Sequence, residues 1–80
     1  MAIKSFHSKD YRLAVGLLRE ARVKAGLTQQ ALADALARPQ SYVAKYESGE
    51  RRLDIIEFIG IARALKVRAS SIVAKLERAK

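Results

Sequence analysis

Cysteine is absent from these 80 residues, and histidine occurs once, as His7. Without cysteine there is neither a disulfide framework nor a thiolate metal site, which fits a reducing cytoplasm. A single histidine without clustered carboxylates leaves a metal ion short of its usual protein ligands, so no metal and no other cofactor is expected. Aromatic residues make up only 6% of the chain, and leucine, isoleucine, valine and alanine supply most of the apolar half. That mixture favours packed helices over a β-sandwich. No apolar run approaches the ~20 residues of a membrane span, and the opening MAIKSFHSKD has no long apolar core of the signal-peptide kind. A cytoplasmic protein without membrane contact is the expectation. Chemistry of a catalytic kind is equally short of parts. Ser41 has no His–Asp partner in any helical register, and Gly49 and Gly60 do not form a phosphate-binding loop. A non-enzyme with no catalytic residues follows.

What is abundant is positive charge. Sixteen Lys and Arg against eight Asp and Glu leave a net +8 on a chain of one-domain size. Such a surplus favours polyanion partners, although a basic surface used for solubility explains the total equally well. The distribution is more telling. Residues 1–26 carry six basic against two acidic groups, residues 27–53 four against three, and residues 54–80 six against three. Basic groups on flanking elements would hold phosphates while a nearly neutral middle reads bases.

That middle stretch, LTQQALADALARPQSYVAKYESGERRL over residues 27–53, holds two short helical patterns a few residues apart. Thr28 is a good N-cap, and Ala31, Leu32, Ala35 and Leu36 form a narrow apolar face on a helix over about 28–37. Pro39, preorganised for a first helical position, opens a second helix to about Ser48, with Val43 and Tyr46 inward and Gly49 as its stop. Helices joined by so short a turn cross at a large angle and leave one face of the second uncovered. Gln40, Ser41, Ala44 and Lys45 occupy that face: small, amide, hydroxyl and basic groups suited to base edges in a DNA major groove.

The flanks complete an all-α, five-helix domain. Residues 1–8 lack periodicity and read as a loose arm; residues 9–80 form the domain. A first helix runs from about Ser8 or Lys9 to Ala25, with Leu13 or Ala14, Leu17, Leu18, Ala21 and Ala25 on its apolar face and Gly26 behind it. Asp54 with Glu57 reads as a capping box for a fourth helix to about Leu65, burying Ile55 or Ile56, Phe58, Ile59 and Ala62. Ser70 or Ser71 is placed to cap a last helix carrying Ile72, Val73 and Leu76. The fourth and fifth helices hold more apolar residues than one side of so small a core absorbs, which marks them as a homodimer surface.

Several of these residues together resemble the lambda-repressor-like, Xre/Cro-type helix-turn-helix DNA-binding family. They are the run Leu18 to Ala33, Gln40-Ser41, Val43, Tyr46-Glu47, Gly49, Leu53, and Ala62 with Leu65 and Val67; the likeness covers roughly residues 12–78. Gly26-Leu27-Thr28-Gln29 followed by Glu47-x-Gly49 is its most specific part. The resemblance implies a recognition helix from about Pro39 to Ser48 and a dimer on a two-fold operator in double-stranded DNA. Gln29 resembles a glutamine that bonds phosphate and braces the next one, here Gln40, which resembles the base-reading amide. Ser41 and Lys45 match base-contacting positions, Lys45 with a phosphate as its alternative. Tyr42 is a further candidate base contact, by its ring on a thymine methyl, with a phosphate contact or packing at the groove edge as alternatives. Thr28, Gln29, Arg38, Arg51 and Arg52 are the candidate phosphate contacts. Arg22 and Glu47 match a partly buried structural ion pair. Two departures stand out: Ala37 occupies a turn position usually held by glycine, and Tyr42 replaces a small hydroxyl residue.

The function this supports is a small sequence-specific transcriptional regulator, whose length resembles phage repressors and restriction–modification controllers. An antitoxin-type module that masks a toxin, with DNA autoregulation secondary, is the alternative; it calls for a partner-wrapping tail that these residues do not include. A toxin or RNA polymerase is a possible protein partner. Non-specific coating fits poorly with the near-neutral middle segment.

Overall fold

A computed structural model describes residues 8–79, and among them the only regular elements are five α-helices: α1 (Lys9–Lys24), α2 (Gln29–Ala35), α3 (Gln40–Ser48), α4 (Ile55–Ala64) and α5 (Ala69–Ala79). Residues 1–7 of the expected arm lie outside the described residues. Ser8, one of the two expected starts of the first helix, caps α1: its hydroxyl accepts from the Tyr11 N–H at 3.0 Å. No helix among the described residues is long and apolar enough to cross a membrane.

Three helix starts are capped by side chains. Besides Ser8, Thr28 accepts from Ala31 N–H at the head of α2. Asp54 and Glu57 exchange both hydrogen bonds of a capping box at the head of α4, at 2.7 and 3.0 Å. Pro39 does not enter α3; its extended backbone (φ −68°, ψ 154°) makes it the residue before the first turn. Likewise Ser70 and Ser71 lie inside α5, which begins directly from the turn after α4.

Helix ends share one device. After α1, α2 and α4 the second residue past the helix has φ between 56° and 75°, at Gly26, Ala37 and Lys66. Each such turn is closed by two reversed hydrogen bonds, for example Ala37 N–H to Asp34 O and Arg38 N–H to Ala33 O. Gly49, at φ 87°, ends α3 in the same way. This left-handed stop suits glycine, and a Cβ there costs about 1 kcal/mol. Ala37 and Lys66 carry that cost.

The core gathers Val15 and Leu18 of α1, Leu32 and Ala33 of α2, Val43 and Tyr46 of α3, Ile61 and Ala62 of α4, then Leu65 and Ile72. Burying each large aliphatic side chain is worth about 1.5–3 kcal/mol. Helix α3 packs on both α1 and α2, and α5 on α1 and α4. Several expected core positions differ. Val15 is buried and Leu13 exposed; Ala33 is buried and Ala35 and Ala25 are exposed. Ile55 and Ile56 are both exposed, at 64% and 72%, so neither joins the core.

Candidate nucleic-acid interface

A chain of polar groups runs from α1 to the head of α3. Arg22, buried on the core face of α1, donates from Nε to Glu47 Oε2 at 2.7 Å and from a terminal nitrogen to Oε1 at 3.1 Å. Its other terminal nitrogen donates to Leu27 O at 2.7 Å, tying the turn before α2 to the same guanidinium. Glu47 Oε1 also accepts from Gln29 Nε2 at 2.9 Å, and Gln29 Oε1 accepts from Gln40 Nε2 at 2.7 Å. A carboxylate only accepts, so Glu47 dictates which way the Gln29 amide points, and Gln29 dictates Gln40 in turn. Gln40 keeps its own Oε1 and one N–H free of this chain. Those two groups are an acceptor and a donor side by side, the pair that matches adenine N6 and N7. The hydrogen bond to Glu47, more than its charge, raises the Arg22 pKa against the opposing effect of burial.

Ser41 and Lys45 are exposed on the same helix, with Ala44 half-buried beside them. Thr28 is exposed, and its capping hydroxyl retains its own hydrogen to donate.

Tyr42 is elsewhere. Only 8% of it is exposed, and its ring meets Tyr46 edge-on with centroids 5.7 Å apart. The guanidinium groups of Arg38 and Arg51 lie over this ring, 4.4 and 4.7 Å from its centre. Burial, foremost, raises the Tyr42 phenol pKa. Tyr42 is therefore a platform under two arginines, and the packing alternative describes it better than a base contact does. The reason is physical: a ring flanked by two cations and a core tyrosine gains more from packing than from standing in solvent.

Arg51 is also occupied. It donates to both Glu57 carboxylate oxygens at 3.2 and 3.0 Å, and Arg38 approaches Glu57 Oε2 at 3.7 Å. The Arg51 hydrogen bonds, foremost, hold the Glu57 carboxyl below the usual carboxylate range, and the same bonds raise Arg51. Arg52 is exposed and lies over the Tyr11 ring at 4.9 Å. Tyr11 Oη accepts from Leu53 N–H at 2.9 Å and donates to Arg51 O at 3.1 Å, so α1 fixes the connector that carries both arginines. Sequence reasoning missed Tyr11 as this anchor and saw Glu57 only as a cap. Nothing in the local pattern around residue 11 signals a bond to a segment 40 residues away.

The two-helix unit of α2 and α3, joined by residues 36–39 and presenting an uncovered polar face, defines a helix-turn-helix protein. The helix-turn-helix family model matches residues 18–72. An XRE-family like protein from Pseudomonas syringae pv. tomato str. DC3000 superimposes with a TM-score of 0.88 at 44% identity, covering 96% of this chain and 94% of that one. The restriction-modification controller protein C.AhdI from Aeromonas hydrophila matches at 29% identity and TM-score 0.75, covering 81% and 98% of the two chains. A mutant of the restriction-modification controller protein C.Esp1396I, at 22% identity, shares the fold with a TM-score of 0.81 over 89% of this chain and 95% of that one. No curated protein sequence matches. The chain belongs to the XRE-type, lambda-repressor-like family of helix-turn-helix DNA-binding transcription regulators.

Proposed function

We infer that the protein is a sequence-specific regulator that binds double-stranded DNA as a homodimer on a two-fold operator, with α3 in the major groove. The observation that carries this reading is the orientation of Gln40. Its amide is fixed by Gln29 and Glu47 with a donor and an acceptor left over, on an exposed helix face bearing Ser41 and Lys45. Gln40 takes the bidentate role toward adenine, Ser41 and Lys45 reach neighbouring base edges, and Thr28, Gln29, Arg38 and Arg52 hold phosphates. Arg51 approaches the backbone from its bond to Glu57, and Tyr42 sets the position of Arg38 and Arg51.

Dimerisation is supported by the apolar residues left outside the core at the C-terminal half: Ile55, Ile56, Val67 and Val73 are all exposed. Joining two copies there removes that surface from water and matches the two-fold symmetry of an operator. A controller of a restriction–modification system, as the Aeromonas relative is named, is one setting that suits a regulator of this size.

The test begins with an operator selected from random duplexes. Gln40→Ala should cost about 1–3 kcal/mol on that operator with little effect on scrambled DNA. Half-sites should be centred about 10 bp apart. Equal weakening on both duplexes would place the reading helix wrongly. Sedimentation that shows only monomer, free and on DNA, would remove the dimer.

A further inference from the structure

Two of the arginines nearest α3 are held by an acid. Arg38 stands in the turn that leads into the helix and Arg51 in the connector that leaves it, yet both converge on Glu57 at the head of α4. Glu57 is 17% exposed in its side chain, and the two arginines 45% and 37%. The carboxylate offers what a phosphate offers: two anionic oxygens that accept from the two ends of one guanidinium. It is also fixed in place, because Oε1 accepts from Asp54 N–H in the capping box. The Tyr42 ring lies against both guanidiniums and keeps them together whichever anion they face.

We propose that Glu57 is an internal stand-in for phosphate, holding Arg38 and Arg51 over Tyr42 in the free protein until a DNA backbone phosphate takes them over. This rests on the DNA-binding reading above and adds an exchange step to it. The two arginines and Glu57 together carry one net positive charge, so an arriving phosphate meets one charge where two arginines alone would offer two. Binding to any duplex is thereby weakened, and its dependence on salt is flatter than the number of arginines suggests. The arginines are also pre-gathered, so the ordering of two long side chains is complete before DNA arrives.

Glu57→Gln tests this, since glutamine keeps an oxygen to accept from Asp54 N–H and loses only the charge. Binding to a random duplex is measured by fluorescence anisotropy across a salt series, with thermal melts of each protein. The expected result is affinity raised about two- to five-fold, the range of a partly exposed ion pair. The log–log salt slope should steepen by about one. Glu50→Gln is the control, because Glu50 sits in the same connector, removes the same charge and bonds to Ser48 rather than to an arginine. Its effect should be the smaller. Adding Arg51→Gln to Glu57→Gln should return the slope to the wild-type value. A Glu57→Gln protein with unchanged slope, whether or not its melt falls, overturns the proposal, as does an equal gain from Glu50→Gln. Wild-type protein that binds no duplex at low salt would instead bring down the DNA-binding reading itself.

Discussion

Arg22 and Glu47 meet as a buried two-pronged ion pair that joins the core face of α1 to the last turn of α3. Removing one partner strands the other in a low-dielectric site, which costs about 3–5 kcal/mol. A domain of this size has roughly 0.05–0.15 kcal/mol of stability per residue. Glu47→Ala should therefore lose a large share of the total, seen as a lowered midpoint in urea unfolding. Glu47→Gln, which keeps an acceptor for Arg22, should lose less.

Gln29 contacts Gln40 and Glu47 at once, so its effect on base discrimination should pass through Gln40. Gln29→Ala should weaken operator binding by about 1–2 kcal/mol, below the loss for Gln40→Ala. In the ratio of operator to scrambled binding the double variant should be little worse than Gln40→Ala alone, because residues of one network do not add, while the phosphate contact of Gln29 weakens both duplexes alike and cancels. A double-mutant cycle on that ratio measures the coupling; strict additivity would show that the two glutamines act separately.

Tyr46 is fully buried, and its hydroxyl finds no hydrogen-bond partner among the described residues. Burial, as the first cause, pushes its pKa up, which keeps the phenol neutral. An unsatisfied buried hydroxyl costs about 1–3 kcal/mol, so Tyr46→Phe should stabilise the fold by about 1 kcal/mol. For a domain of this size that is about 4–8 °C in Tm by thermal melting. A lower Tm would show that the hydroxyl has a partner.

Ala37 and Lys66 sit at φ 56° and 61°, in left-handed stops where Gly26 and Gly49 serve the other two helices. Ala37→Gly and Lys66→Gly should each stabilise by at most about 0.6 kcal/mol, the relief of Cβ strain less the greater freedom glycine gives the unfolded chain. Denaturant midpoints with unchanged m-values are the readout.

Glu57 has a lowered carboxyl pKa, caused first by Arg51 and then by the Asp54 backbone. The unfolded chain therefore takes up its proton first as pH falls. The stability Glu57 contributes is present above a pH of about 4.3 and is lost as pH drops through its lower folded value. Melts from about pH 6 to about pH 2.5 should show wild type losing more than Glu57→Gln over that lower interval. Parallel curves would mean that the Arg51 bond contributes nothing to folding.

The helices were legible in the sequence because caps and stops are local signals, whereas the pairing of Gln29 with Gln40 came only from the family resemblance. The phase of α1 was not legible. Its inward stripe is Tyr11, Val15, Leu18 and Arg22, and the charged member breaks the apolar period, so the pattern points to Leu13 or Ala14 and to Ala25 and passes over Val15. In α2 the alternating alanines of ALADALA fit more than one face, and only the assembled core distinguishes buried Ala33 from exposed Ala35. The run of α4 is apolar nearly all round, which cannot say that Ile55 and Ile56 face out. For Tyr42 the sequence leaves base contact, phosphate contact and packing open, because its neighbours Arg38, Arg51 and Tyr46 reach it only once α3 and the connector have assembled.

The path from Arg22 through Glu47 and Gln29 to Gln40 crosses three helices, and none of its bonds exists within a single one. Lysines and arginines on the surface keep their charge whether or not those helices are docked. Loosening α1 thus leaves a chain that still clings to polyanions but has an undirected glutamine at its tip. Fidelity is the more fragile of the two properties, and warming toward the unfolding midpoint should erase the distinction between right and wrong DNA before it releases either.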